Sequence, residues 1–227
     1  MHFTAFDDSD DLAKWLSDHV AYALSKSIES KGKASLVVSG GSTPGKFFKA
    51  LSAKDIAWEH VSICLADERC VPKSSNHSNT RMITLELLQN KAAKAHMVPL
   101  YDDESGIEKL SDLESEIRSL LPFDVVILGM GNDGHTASLF PGADNLGQAT
   151  QDNDKHILVA INAPGAEEPR VTLSASALTS AGNIVLHIEG AKKRETLDHA
   201  TEAGDPAKMP IRYILEKRPD LRVIWAP

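Results

Sequence analysis

The sequence predicts an α/β protein in which helices cover both faces of one mostly parallel sheet. Short, strongly apolar runs recur at 34–39, 61–66, 123–128, 156–161, 170–173, 183–188 and 221–225; they have the length and character of strands buried on both faces. Segments with helical spacing separate many of them, and such alternation implies parallel strands joined by crossover helices. Several runs end in glycine-rich or charged turns, the places where open α/β sheets bind ligands.

Taken in order, Leu12, Trp15, Leu16, Val20, Ala23, Leu24 and Ile28 follow one helical face, with Asp8 or Ser9 as its cap. The run 34–39 ends in Gly40, Gly41, Ser42, Thr43 and Pro44. Pro44 suits the first position of a helix, with Thr43 as N-cap. A strand at 61–66 is followed by a helix at 78–88, and 104–120 reads as a charged amphipathic helix. The run 123–128 is the most apolar. The polar stretch 140–154 and the stretch 163–169 read as loops, and 192–200 and 211–217 as helices. There is no linker, repeat or low-complexity tract, so residues 1–227 are expected to form a single domain.

Composition narrows the function. Lys and Arg total 24 against 32 Asp and Glu, a net charge of −8. A nucleic-acid binder needs a basic face, so nucleic acid is not an expected partner; a small anion held by a few cations in one cleft remains compatible. The apolar runs fall far short of the ~20 residues of a membrane helix, and the acidic N-terminus lacks the pattern of a secretory signal. A cytoplasmic protein without a membrane partner is expected. Cys64 and Cys70 match no zinc or redox spacing. The histidines form neither an HExxH motif nor a ligand-spaced cluster, and there is no G-x-S-x-G nucleophile elbow.

The strand ends carry the suggestive chemistry. Gly40, Gly41, Ser42 and Thr43 read either as a phosphate cradle at a helix N-terminus or as a tight turn with an ordinary cap. Asp67, Glu68 and Arg69 read as anion-binding residues or as an internal Arg–carboxylate network. Gly129, Gly131 and Gly134 match the G-x-G-x-x-G pattern. The helix required by a dinucleotide fold, however, is broken by Pro141 and Gly142, and the acidic residues Asp152 and Asp154 fall in a loop. Asp133 and His135 in the same stretch form a carboxylate–imidazole pair suited to general acid–base work; the alternative is a His that caps the loop. Arg170 after the second loop, and Lys193 where a strand passes into a helix, read by themselves as solvated basic positions.

Together, Val38–Pro44, Ala66–Arg69 with Ser78 and Asn79, Gly129–Gly142, Arg170–Leu173, and Gly190 with Lys193 resemble the 6-phosphogluconolactonase family, in family order and over nearly the whole chain. The resemblance implies a single Rossmann-like three-layer α/β/α domain, similar to glucosamine-6-phosphate deaminase and ribose-5-phosphate isomerase. It implies hydrolysis of 6-phospho-D-glucono-1,5-lactone, a small phosphorylated sugar lactone, with no cofactor and no metal. It places Gly40, Gly41, Ser42, Thr43, Arg69, Arg170 and Lys193 around the phosphate, and His135 at the chemistry beside Asp133. Cys70 departs from the family, where many members carry Trp. A sugar-phosphate isomerase or deaminase on the same fold is the nearest rival reading; the deaminases use a Glu a few residues past the central Asp-Gly-His, and residues 136–141 contain none. A nicotinamide-dependent oxidoreductase and a non-catalytic sugar-phosphate binder are the others. The sequence leaves the oligomeric state open.

Overall fold

The computed structural model describes residues 1–104, 106–152 and 155–227. The chain runs β1 (His2–Ala5), α1 (Ser9–Lys31), β2 (Ala34–Val38), α2 (Gly45–Ser52), β3 (Val61–Leu65), β4 (Asp67–Arg69), α3 (Asn79–Glu86), β5 (His96–Val98), α4 (Leu110–Arg118), β6 (Val125–Leu128), α5 (Leu146–Thr150), β7 (Leu158–Ile161), β8 (Arg170–Leu173), α6 (Ala175–Thr179), β9 (Asn183–Glu189), α7 (Ala191–Thr201), α8 (Ile211–Lys217) and β10 (Arg222–Ala226).

A seven-stranded sheet has the order β1-β10-β9-β6-β2-β3-β5, and every pair in it is parallel. Successive strands β2, β3 and β5 step toward one edge, whereas β6, β9 and β10 step toward the other. Right-handed crossovers therefore place the helices on opposite faces: α1 packs on α2 and α2 on α3, while α6 and α7 pack on α8. Being covered on both sides, β2 and β6 are buried at every residue. Asp8 caps α1 by accepting from the Asp10 and Asp11 amides, and Gly32 closes it at φ 74°.

The structure corrects several expectations. The runs at 156–161 and 170–173 do not join the main sheet; β8 pairs antiparallel with β4 on one side and β7 on the other in a separate three-stranded sheet. Apolar runs look alike in either sheet, so pairing could not be read from them. Two edge strands, β1 and β5, were not expected: they are short, β1 is largely exposed and β5 buries only Val98, so no buried run marks them. The 104–120 segment is a 3-10 turn at Gly106–Lys109 leading into the shorter α4; Ser105 lies outside the described residues. The expected loop 140–154 contains α5, and Asn153 and Asp154, at its end, also lie outside them. Pro44 is the N-cap of α2 rather than its first residue, which displaces Thr43 from the capping role and frees its hydroxyl. Among the described residues, no helix is long and apolar enough to cross a membrane.

Candidate active site

The direction of the connections reverses between β2 and β6, so the segments leaving their carboxyl ends part and open a crevice. The two segments are stitched together at its base: Ser39 donates its amide to Ile127 O at 3.0 Å, and Gly129 donates its amide to Ser39 Oγ at 3.3 Å.

Beyond β2, Gly41 adopts φ 102°, which favours glycine, and a Cβ at Gly40 would overlap the Asn79 amide. The Gly40 and Gly41 N–H groups have no acceptor among the described residues. Thr43 Oγ1 accepts from Lys193 Nζ at 3.1 Å. Lys193 stands in the first turn of α7, whose N-cap is Gly190; the Gly190 carbonyl accepts from Trp225 Nε1 at 3.0 Å. Burial pushes the Lys193 ammonium below its usual range, and the charge of Glu189 partly offsets this.

Beyond β6, the glycine-rich segment folds back on itself. The Gly131 amide donates to His135 O at 2.8 Å, and Thr136 Oγ1 donates to Gly129 O at 2.8 Å. No helix forms across residues 134–145, which removes the element that a dinucleotide site requires. Asp133 Oδ1 accepts from the His135 main-chain amide at 3.1 Å and lies 2.6 Å from His135 Nδ1. The bond to His135 is the main cause holding the Asp133 carboxyl below its ordinary range. This pairing assigns the ring proton to Nδ1 and leaves the Nε2 lone pair free. Phe140 stacks on the imidazole with centroids 4.1 Å apart.

The small sheet brings in the remaining charges. Arg69 of β4 and Arg170 of β8 are directly opposed, an arrangement that is unfavourable for like charges. Arg69 donates to His77 O at 2.9 Å and to Asn79 Oδ1 at 2.5 Å. Arg170 lies 3.7 Å from Asp67 Oδ2 and over the Phe140 ring, 5.1 Å from its centroid. Both Nε atoms are buried without a hydrogen-bond partner among the described residues. Burial is the main cause lowering the Arg170 pKa; Asp67 opposes it and Arg69 adds to it. Two cations held together at a cost suit an anionic ligand. Glu68, by contrast, is structural: it accepts from the Asn79 and Thr80 amides, both at 2.7 Å, and so fixes the start of α3 beneath Arg69.

The cleft has two lobes that share Ser39, Gly40, Gly41, Gly129 and His135. The larger, about 240 Å³, adds Ser42, Thr43, His187 and Lys193. The smaller, about 120 Å³, adds Asp67, Arg69, Asn79 and Arg170. Gly40, Gly41, Ser42, Thr43, Arg69, Arg170, Lys193 and His135 thus all reach one cleft, whereas Asp133 stands behind His135 and Glu68 lines neither lobe. The cations are divided, with Lys193 in one lobe and the arginines in the other. Sequence reasoning missed Phe140 as the platform for His135, and His187 with Glu189. Phe140 lay inside a motif already noted; His187 was a polar break in an apolar strand. Among the described residues, His77, Glu167 and Glu168 are the one group of potential metal ligands brought within 4.8 Å of one another.

The family model described as glucosamine-6-phosphate isomerases/6-phosphogluconolactonase matches residues 7–225. The chain is 47% identical to a Mesorhizobium japonicum protein named 6-phosphogluconolactonase, covering 100% of this chain and 95% of that one. It is 44% identical to one of the same name from Rhizobium meliloti, covering 98% and 97%. Among solved structures, a 6-phosphogluconolactonase from Shewanella baltica superposes with a TM-score of 0.92 at 41% identity, over 100% of this chain and 98% of that one.

Proposed function

The chain belongs to the glucosamine-6-phosphate isomerase/6-phosphogluconolactonase family, and we propose that it is a cytoplasmic, single-domain hydrolase that opens 6-phospho-D-glucono-1,5-lactone to 6-phospho-D-gluconate, with His135 as general base. The observation that carries the chemistry is an imidazole tied by its Nδ1 to Asp133, with its Nε2 free and its ring in both lobes of the cleft. In this reading His135 Nε2 takes a proton from a water as that water attacks C1. Negative charge collects on the carbonyl oxygen as the tetrahedral intermediate forms. The C1–ring oxygen bond then breaks, the imidazolium returns its proton to that oxygen, and the new carboxylic acid ionises. Asp133 keeps the proton on Nδ1 and stabilises the imidazolium.

The phosphate is read at the backbone of Gly40–Thr43, where the lobes meet, with Lys193 on one side and Arg69 and Arg170 on the other. Anchoring the remote phosphate fixes C1 against His135. An isomerase or deaminase is disfavoured because residues 136–141 supply no further acid and Phe140 lies on the imidazole face.

The test couples freshly made 6-phosphogluconolactone to 6-phosphogluconate dehydrogenase and follows NADPH above the spontaneous rate. Acceleration is expected, with kcat falling about 10²–10⁴-fold in His135→Ala. Unchanged turnover in that variant would remove the base assignment; no acceleration by the folded wild-type protein would remove the function.

A further inference from the structure

His187 interrupts the apolar strand β9, yet only 3% of it is exposed. It lines the larger lobe with Lys193 and the Gly40–Thr43 backbone. The edge of its ring meets Phe47 at 86°, and Nε2 lies 2.9 Å from Glu189 Oε1. No hydrogen bond engages Nδ1 among the described residues. A ring fixed at one nitrogen presents the other in a defined direction.

The surrounding charges determine what that nitrogen can do. Glu189 is on the same strand; Lys193 of α7 and Lys46 of α2 both feel its charge. Phe47, packed on the ring from α2, is uncharged, and His135 enters the same lobe from the segment after β6. With His187 neutral, Glu189 offsets Lys193 and an incoming dianion meets little net positive charge. With His187 protonated, Glu189 is neutralised locally and Lys193 acts at full strength.

We propose that anion binding in the larger lobe is coupled to proton uptake by His187. Nε2–H donates to Glu189, and the proton taken from solvent sits on Nδ1 and donates to the bound phosphate. The proposal rests on the reading of this lobe as a phosphate site and adds to it a pH-dependent affinity. The affinity of this lobe for an anion of fixed charge is therefore expected to fall as pH rises.

The probe is sulfate, whose double negative charge does not change over these pH values, tested as a competitive inhibitor and by calorimetry in buffers of different ionisation enthalpy. In the wild-type protein, sulfate inhibition is expected to weaken by up to about tenfold per pH unit on the alkaline side, with close to one proton taken up per sulfate bound at that end. In His187→Gln, the pH dependence flattens and most of the uptake disappears. Uptake that is absent in wild type, or unchanged in the variant, overturns the proposal. Long-range ¹H–¹⁵N spectra of wild-type protein give a check independent of the variant: a proton appearing on His187 Nδ1 with sulfate supports the coupling, and a ring that stays singly protonated overturns it. A wild-type protein that hydrolyses the lactone yet binds sulfate without proton uptake removes this inference alone. One that binds neither sulfate nor 6-phosphogluconate removes the phosphate reading and the inference with it.

Discussion

Asp133 Oδ1 grips His135 twice, through the ring Nδ1 at 2.6 Å and through the main-chain amide at 3.1 Å. One oxygen therefore sets both the tautomer and the position of the imidazole. Asp133→Asn, whose amide can present a donor to Nδ1, is expected to reduce kcat by about 10²–10⁴-fold while KM changes little. Steady-state kinetics in the coupled assay test this; a loss confined to KM would contradict it.

Gly131 makes room for that grip. A Cβ there would overlap the His135 ring and lie 2.7 Å from Asp133 Oδ1. Gly131→Ala should displace the pair and cut kcat at least about tenfold, with a modest stability loss of about 1–3 kcal/mol. Denaturant unfolding alongside turnover separates the two effects; an active, fully stable variant would show that the segment relaxes freely.

Lys193 gains little from its place in the fold. Its hydrogen-bond partner is the neutral Thr43 hydroxyl, and burial disfavours its charge. Lys193→Met is expected to keep or raise Tm while raising KM for the phosphorylated lactone about tenfold or more. The depressed ammonium also sets a sign: the group is more readily charged in the unfolded chain, so its cost to stability eases as pH rises through its folded value toward 10.5. A fall in Tm without a change in KM would reverse the argument.

A second pH effect, at the acid end and again favouring the fold as pH rises, belongs to the scaffold. Arg218 pairs with both carboxylate oxygens of Asp220, at 2.8 and 2.7 Å, and donates to Thr179 O and Ala181 O at 3.1 and 2.5 Å. The pair lowers the Asp220 carboxyl from 3.8 to about 2. Its contribution is complete above 3.8 and is lost as pH falls toward about 2. Asp220 is largely exposed, so Asp220→Asn should cost less than about 1 kcal/mol at neutral pH and flatten the acid limb of a Tm–pH profile between pH 4 and 2.

The sequence by itself determined the parallel α/β sheet, because strands covered on both faces must be apolar throughout and the helices between them carry a 3.6-residue period. It also pointed to the cleft: glycines, Asp133 and His135 follow the most apolar run, and strand ends are where such sheets bind ligands. Contacts local in sequence, such as the Asp133–His135 pair, were legible for the same reason. Only the tertiary structure decided which runs pair with which. It set β8 against β4 so that Arg69 faces Arg170, separated Lys193 from both arginines into another lobe, and turned His187 from a strand residue into a cavity wall. Those outcomes depend on contacts between residues about a hundred positions apart, and local periodicity records which face a residue presents, not what that face meets.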